Sequence, residues 1–468
     1  MARSRSRSVV APAGYSMTRR GVLAPGSVVA KYDSAQTTGN NKRHWANADA
    51  LSADAANTLA VRAKLRNRAR YEYANNSYVH GIINSVACDT VGSGPALQVR
   101  SDNSVFRKDL EDAYAAWADA VKLAQSLRVM VKSRIRDGEI FSIFATNPAL
   151  MGSVKLYPEL AECDRVTSSL LNPAGADGIS VDAYGNPVSY RVLKSHPGGY
   201  FTGGTDDFET VRADMMVHYF APDRPSQHRG VPEITPALEL CILLRRYTLA
   251  VVTAAETAAD NAYVLETSGA TDTDYDPDND LEELNLERNL VTVLPEGYKL
   301  SQTRAEQPTT TYPDFKNEIL NEIARCLGVP FNVAAGNSSS YNYSSGRLDH
   351  KTYEKKLSVD QSHLERVFLN RAFEKFFFEW AVGNGMVGAP QPETAWYWEK
   401  LPHIDPVKEA NAQVIRLGAG LTTRTREAAR EKVDYETLLA ERKRETELES
   451  EYGVPVGEPI TPRSRRGY

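Results

Sequence analysis

Between Pro236 and Leu265 the chain carries its longest uninterrupted helical periodicity, and this segment limits what the rest can become. Leu240, Leu244, Tyr247, Val251, Ala254, Ala255, Ala258, Ala259 and Ala262 recur at helical spacing, large side chains first and small ones after. Small residues let helix backbones approach closely, which suits a tight bundle or the wall of a ring. The helix propensity of alanine and an ordinary core explain the same stripe equally well. Its nearly apolar part, Tyr247 to Ala255, is far shorter than the roughly 20 residues a membrane-crossing helix needs. The N-terminal MARSRSRSVV holds no apolar run of secretory type, so neither export nor membrane insertion is expected.

A chain of 468 residues exceeds what one core usually carries, about 250–300, so two or more packed regions are expected. Residues 1 to about 50 alternate Arg3, Arg5, Arg7, Arg19 and Arg20 with Ser, Gly and Pro and read as an unstructured basic arm. Leu59 and Leu65, interleaved with Arg62, Lys64, Arg66, Arg68 and Arg70, predict a helix with one narrow apolar face. Further helices are predicted over 78–90, closed by Gly92-Ser93-Gly94, and over 104–136. Strand signals follow at 139–145, in a hairpin over 178–194 that turns at Tyr184-Gly185-Asn186-Pro187, and at 211–220. The first half is therefore mixed α+β. A polar insertion spans 268–311, with a short strand signal at 290–294, and 312–327 is helical again. A Gly/Ser/Asn loop over 328–346 precedes a long helix, 347–380, whose second half is strongly apolar. The helical region 406–449 is highly charged, and the tail beyond it reads like the N-terminal arm.

Charge narrows the function. With 55 Lys and Arg against 60 Asp and Glu, the net charge is −5, whereas a protein that grips duplex DNA shows a basic excess. Cys88, Cys163, Cys241 and Cys326 are widely separated and form neither a disulfide framework nor a zinc pattern; free, mostly buried thiols are expected. No Walker A, HExxH or GxSxG sequence occurs, and Gly92-Ser93-Gly94 lacks the third glycine of a dinucleotide loop. His218 and His228 form the nearest histidine pair of the β-rich half, without an evident third ligand. No cofactor or resident metal is expected, and the chain reads as no enzyme.

Two segments carry candidate function. Asp272, Asp274, Asp276, Asp278 and Asp280 alternate, and Glu283 stands twelfth from Asp272, a spacing close to a calcium-binding EF-hand loop. Pro277 occupies the place where such a loop turns on glycine, so a solvated acidic surface is the better reading. In the second segment, Asn337, Ser338, Ser339, Ser340, Tyr341, Asn342, Tyr343, Ser344 and Ser345 carry no charge, and no His or acid stands by to activate a serine. A flexible polar loop is the leading reading there, ahead of a nucleophile site or a stacking surface.

Four stretches in series resemble the lambda-like branch of the phage portal proteins: RAKLRNRARYEYANNSYVHGIINSVACDTVGSG, QHRGVPEITPALELCILLRRYTLAVVTAA, EIARCLGVPF with NYSSGR, and WEKLPHIDPVKEANAQVIRLGAGLTTRTREAAREKVDYETLL. The resemblance covers most of residues 57–440. It implies a portal fold, with an α+β wing, helical stem, small clip and helical crown, assembled as a ring of usually twelve copies around a channel. Mapped onto this chain, 1–56 is a disordered arm, 57–231 and 347–404 the wing, and 232–265 and 312–327 the stem helices. Residues 266–311 become the clip, 328–346 a tunnel loop facing DNA, 405–450 the crown and 451–468 a disordered tail. The implied partners are further copies of the chain, major capsid and scaffolding proteins, the terminase large subunit, neck proteins, and double-stranded DNA held transiently without sequence preference. The implied location is a capsid vertex of the virion, reached from the host cytoplasm during assembly.

The residues fit that implication. DNA must slide, and each cationic contact adds a counterion-release term that holds it. Symmetry would turn one lysine per subunit into a belt of charge. The alternatives are a metal-dependent nuclease or recombinase, which needs carboxylates beside a basic groove, and a calcium-binding structural protein.

Overall fold

The computed structural model describes residues 15–17, 23–25, 38–168, 177–199, 207–259, 263–267, 298–302, 312–339, 341–399, 406–430, 433 and 435–453. The chain divides into two compact units, Met1–Ser52 and Ala53–Tyr468. In the first, β1 (Tyr15–Met17) and β2 (Leu23–Pro25) pair antiparallel, so the arm expected to be unstructured contains a small hairpin.

The second unit opens with α1 (Ala53–Ala56), α2 (Leu59–Asn75) and α3 (Ser77–Val91). The Thr58 hydroxyl caps α2, and the Asn76 side chain accepts from the Tyr78 and Val79 amides to start α3. Strand β3 (Ala96–Arg100) follows, then α4 (Ser104–Ala120) and α5 (Leu123–Asp137). The helix expected over 104–136 is thus broken, at Lys122, whose φ of 53° no helix accepts. Strands β4 (Glu139–Thr146), β5 (Leu156–Ala161) and β9 (Met216–Phe220) form one sheet in the order β5-β4-β9. Strands β6 (Ile179–Val181), β7 (Pro187–Leu193) and β8 (Phe208–Arg212) form a second. The strand expected over 211–220 is therefore two strands in different sheets, separated by a 3₁₀ turn at Ala213–Met215.

Helix α6 covers Leu238–Ala259 and ends before Tyr263–Thr267, which is strand β10 and pairs with β11 (Tyr298–Gln302). The periodicity therefore overran the helix at its alanine-rich end. Helix α7 (Tyr312–Cys326) packs on α6 through Tyr247, whose ring meets Tyr312 and Phe315. Helix α8 (Phe331–Ala335) lies inside the segment expected to be a loop. Helix α9 (Tyr343–Leu364) runs through a π turn, Glu365–Leu369, into α10 (Asn370–Gly383). Strand β12 (Glu393–Tyr397) pairs with β3, a match over nearly 300 residues that short-range patterning could not show. Helices α11 (Pro406–Gly418), α12 (Arg424–Arg430) and α13 (Tyr435–Glu451) complete the described chain.

The main core joins Ile82, Ile83 and Val86 of α3, Leu127 and Met130 of α5, and Phe368, Phe373 and Phe376 of the long helix. A smaller core lies between the two three-stranded sheets. Strand β4 serves both: Ile140 and Phe144 face the main core, and Phe141 and Ile143 the smaller one. Side chains of a strand alternate between faces, so a strand buried on both sides reads as a continuous apolar run. The cysteines are free and mostly buried, as expected: Cys163 and Cys241 are buried, Cys326 is partly so, and Cys88 is exposed. No described helix is long and apolar enough to cross a membrane.

Candidate functional site

Three of the four arginines of α2 turn inward, and Arg68 alone is exposed. Arg62, Arg66 and Arg70 stand four apart, on one side of the helix, and each meets a carboxylate from a distant part of the chain. Arg62 pairs with Asp177 and donates to the Asn57 carbonyl at 2.5 Å. Arg66 reaches Asp164 at 2.8 Å, and Arg70 bridges Asp164 at 2.8 Å and Asp137 at 2.7 Å. Leu59, expected on the buried face, is exposed.

Beside this ladder lies a second, deeper set. Glu139 has no exposed surface; its carboxylate accepts from the Arg229 guanidinium at 2.6 and 2.9 Å and from the Gly230 amide at 2.8 Å. His218 Nε2 is 2.8 Å from the other Glu139 oxygen, and its ring is stacked between Phe141 and Phe220, each 4.3 Å away. Burial alone would raise the Glu139 carboxyl, but Arg229 and His218 outweigh it and hold it well below the usual carboxylate range. Burial lowers the His218 imidazole. Two glycines allow this approach. A Cβ on Gly230 would collide with the Gly138 backbone, and one on Gly138 would lie 2.6 Å from the Val231 carbonyl carbon. Gly138 also has a φ of 91°, outside the range of L side chains. These charges are spent on one another and hold α2, β4 and the 228–230 loop in place.

One further cluster lies beside these charges. Among the described residues, ligand atoms of Glu162, Asp164 and His196 gather within 4.8 Å. The Gly198 amide donates to His196 Nδ1 at 3.0 Å, so a neutral ring keeps its proton on Nε2, which faces Glu162 at 2.9 Å. Asp164 is already held by Arg66 and Arg70. His218 and His228 are likewise separated, the first bound to Glu139 and the second to Asp54 at 2.6 Å.

The polar segment 337–345 is partly helical. Gly336, with φ of 62°, ends α8, and the Asn337 side chain accepts from the Ser339 amide at 2.9 Å. Asn337, Ser338, Ser339 and Asn342 are exposed. Tyr341 is half-buried; burial first, and Asp349 beside it, push its phenol up. Tyr343, Ser344 and Ser345 form the first turn of α9. Asn342 accepts from the Ser345 amide at 2.9 Å and Ser345 Oγ accepts from the Asn342 amide at 3.3 Å, a reciprocal cap. Among the described residues the open surface is thus 336–339 and Asn342, shorter than the sequence implied. Ser340 lies outside the described residues, as do Asp272, Asp274, Asp276, Asp278, Asp280 and Glu283.

The model of the phage portal protein, lambda family, matches residues 38–361, most of the chain. The chain belongs to this family. A probable portal protein of Halomonas phage phiHAP-1 is 22% identical over 321 residues, and the match spans 62% of each chain's length. The chain also resembles a component of the virion of a native gene transfer agent particle, with a TM-score of 0.44 and 15% identity over 78% of this chain and 92% of that one. A chain from the neck of that particle, computed with C12 symmetry, gives 0.39 and 16% over 77% and 91%. The family match takes in α2, the 228–230 loop, the uncharged segment and the first part of α9, so the charge lattice belongs to the portal domain itself.

The lattice was missed from sequence. Its signal was present in the four-residue spacing of Arg62, Arg66 and Arg70 and in the glycines of Asp137-Gly138-Glu139 and Arg229-Gly230.

Proposed function

We propose that this chain is one subunit of a portal ring through which phage DNA enters and leaves a capsid, and that segment 336–342 faces the DNA. The observation that supports the reading most strongly is the family match over residues 38–361, taken with an uncharged, exposed segment between two capped helix ends inside that match. Segment 266–311 would dock the terminase and later the neck proteins, with the acidic run from Asp272 to Glu283 as its surface, and α11 to α13 would form the crown. Portal proteins are structural, and this subunit would perform no chemistry; the packaging motor would hydrolyse the nucleotide.

An in vitro packaging assay at two ionic strengths tests the reading. Asn337→Lys should leave assembly intact but slow packaging, because symmetry repeats each added ammonium group around the channel, and salt should relieve the defect. Ser339→Ala should package like wild type, since that hydroxyl is an adaptable contact. Normal packaging by the lysine variant, or a dead alanine variant, removes this segment from the DNA path.

A further inference from the structure

Two helices carry charges of opposite sign in the same spacing. On α7, Asp314, Glu318 and Glu322 stand four residues apart and are exposed; on α9, Arg347, Lys351 and Lys355 do the same. Residues four apart share a helix face, so each helix presents a row about 12 Å long. Among the described residues, no side chain of either row has an ion-pair or hydrogen-bond partner. An apolar residue follows the first charge of each row, Phe315 on α7 and Leu348 on α9, and both are more than half exposed. Val359 is exposed on the same flank of α9 as Leu348. The opposite sides are buried in the main core, through Leu320 and Ile323 of α7 and Tyr353 and Leu357 of α9, so both rows point away from the subunit.

We propose that the acidic face of α7 on one copy docks against the cationic face of α9 on the next. The pairing rests on the reading of the chain as a ring subunit; it adds which faces meet and why these cations do not hold DNA. Helix α9 begins at the end of the uncharged segment, and bare cations there would be repeated by symmetry into a belt that grips a polyanion. Exposed Leu348 and Val359 beside them suit a protein partner, since apolar groups gain nothing from phosphates. Electrostatic complementarity selects that partner, and α7 supplies it in matching spacing. Each row repels its own kind, so unlike faces must meet, the head-to-tail contact that closes into a ring. Whether the two helices run parallel or antiparallel, Glu318 falls opposite Lys351, and the outer carboxylates fall opposite Arg347 and Lys355. Arg325 and Glu354 carry the contrary sign at the edges of these faces. They fall opposite Ser358 and Asn321 in the parallel alignment and opposite Ser344 and Phe315 in the antiparallel one, so no like charges meet. Once paired, the cations are neutralised, and the uncharged segment is left to face the DNA.

Light scattering of the full-length chain at low salt tests this through charge reversal. Arg347→Glu, Lys351→Glu, Lys355→Glu leaves both rows acidic, and Asp314→Lys, Glu318→Lys, Glu322→Lys leaves both basic. Each variant alone should fall from the wild-type mass toward 51.7 kDa. Mixed one to one, the two present opposite charges at every contact and should regain the wild-type mass. A mixture that stays dissociated overturns the pairing. So do single variants that assemble like an assembled wild type, a result that leaves the ring reading standing on other faces. A wild type that scatters as a single chain removes both. A cross-link needs no charge reversal and so does not depend on how those variants fold. Glu318→Cys and Lys351→Cys placed together in one chain should give, after mild oxidation, a ladder of several chain masses on a non-reducing gel. Either cysteine alone should add nothing to the wild-type pattern, which controls for the native, exposed Cys88. A ladder that ends at two chains would make the contact a reciprocal dimer, and no new band would mean that the faces do not meet; either result overturns the head-to-tail pairing.

Discussion

At Glu139 a single carboxylate with no exposed surface stays ionised because two partners and a backbone amide surround it. Removing one member of such a set leaves a buried charge uncompensated, which costs about 3–5 kcal/mol. Glu139→Gln and Arg229→Met should each lower the denaturation midpoint strongly, and the double variant should recover part of the loss. Equal midpoints for wild type and single variants would show that the pair contributes nothing. The pH dependence has a definite sign. Glu139 is depressed in the fold, so its contribution is complete above the unfolded carboxylate range, near ~4.3, and is lost as pH falls below it. His218 is also lowered, so the unfolded chain binds its proton first, near ~6.5, and stability declines from there downward. Both groups favour neutral over acidic conditions, and His218→Gln should remove the earlier part of the decline. A denaturation midpoint that rises between pH 7 and 5 would contradict this assignment. The spacing of the arginines was in the sequence but their pairing was not, because arginines on a helix ordinarily mark its solvent face and their carboxylates lie 67 to 115 residues away.

Single elements were read best where one physical rule governs them. The β-rich run of β4 and the turn at Tyr184-Gly185-Asn186 placed the first strands, since each depends on neighbours in the chain. Strands β3 and β12 were missed because their pairing is remote. The Gly/Ser/Asn segment failed in an instructive way. Small polar residues read as loop, yet Asn342 and Ser345 are the reciprocal cap that begins α9. Asn342→Ala should cost about 1 kcal/mol locally, which corresponds to amide exchange roughly fivefold faster in the first turn of α9. Hydrogen exchange on the intact protein measures this directly; unchanged protection at 345 and 346 would mean that the cap does not hold the helix start.

The whole molecule carries apolar surface that a single copy leaves uncovered. Helix α6 buries Cys241, Leu244 and Val251 on one side, but Leu243, Leu249 and Val252 on its other flanks are about half exposed. A helix apolar most of the way round is normally buried on every side, and exposed apolar surface of this kind marks an interface. Helix α11 repeats the pattern with Val407, Val414 and Ile415 exposed. The alanine stripe at the end of α6, legible from sequence as suited to close helix packing, points the same way, although tight bundle and ring wall could not be told apart there. Burial against a second copy, as the proposed ring requires, would cover both helices, and an obligate interface of this kind covers more than ~2,000 Å². Light scattering of the wild type at micromolar concentration should therefore show a mass many times 51.7 kDa. Leu249→Asp with Val252→Asp places two carboxylates in that contact and should shift the mass toward the single chain. The melting of the released subunit should stay cooperative, because neither side chain belongs to the core. A wild type that scatters as a monomer across several salt conditions, or a double variant with unaltered mass, would leave these faces without a partner copy and remove the ring on which the channel depends.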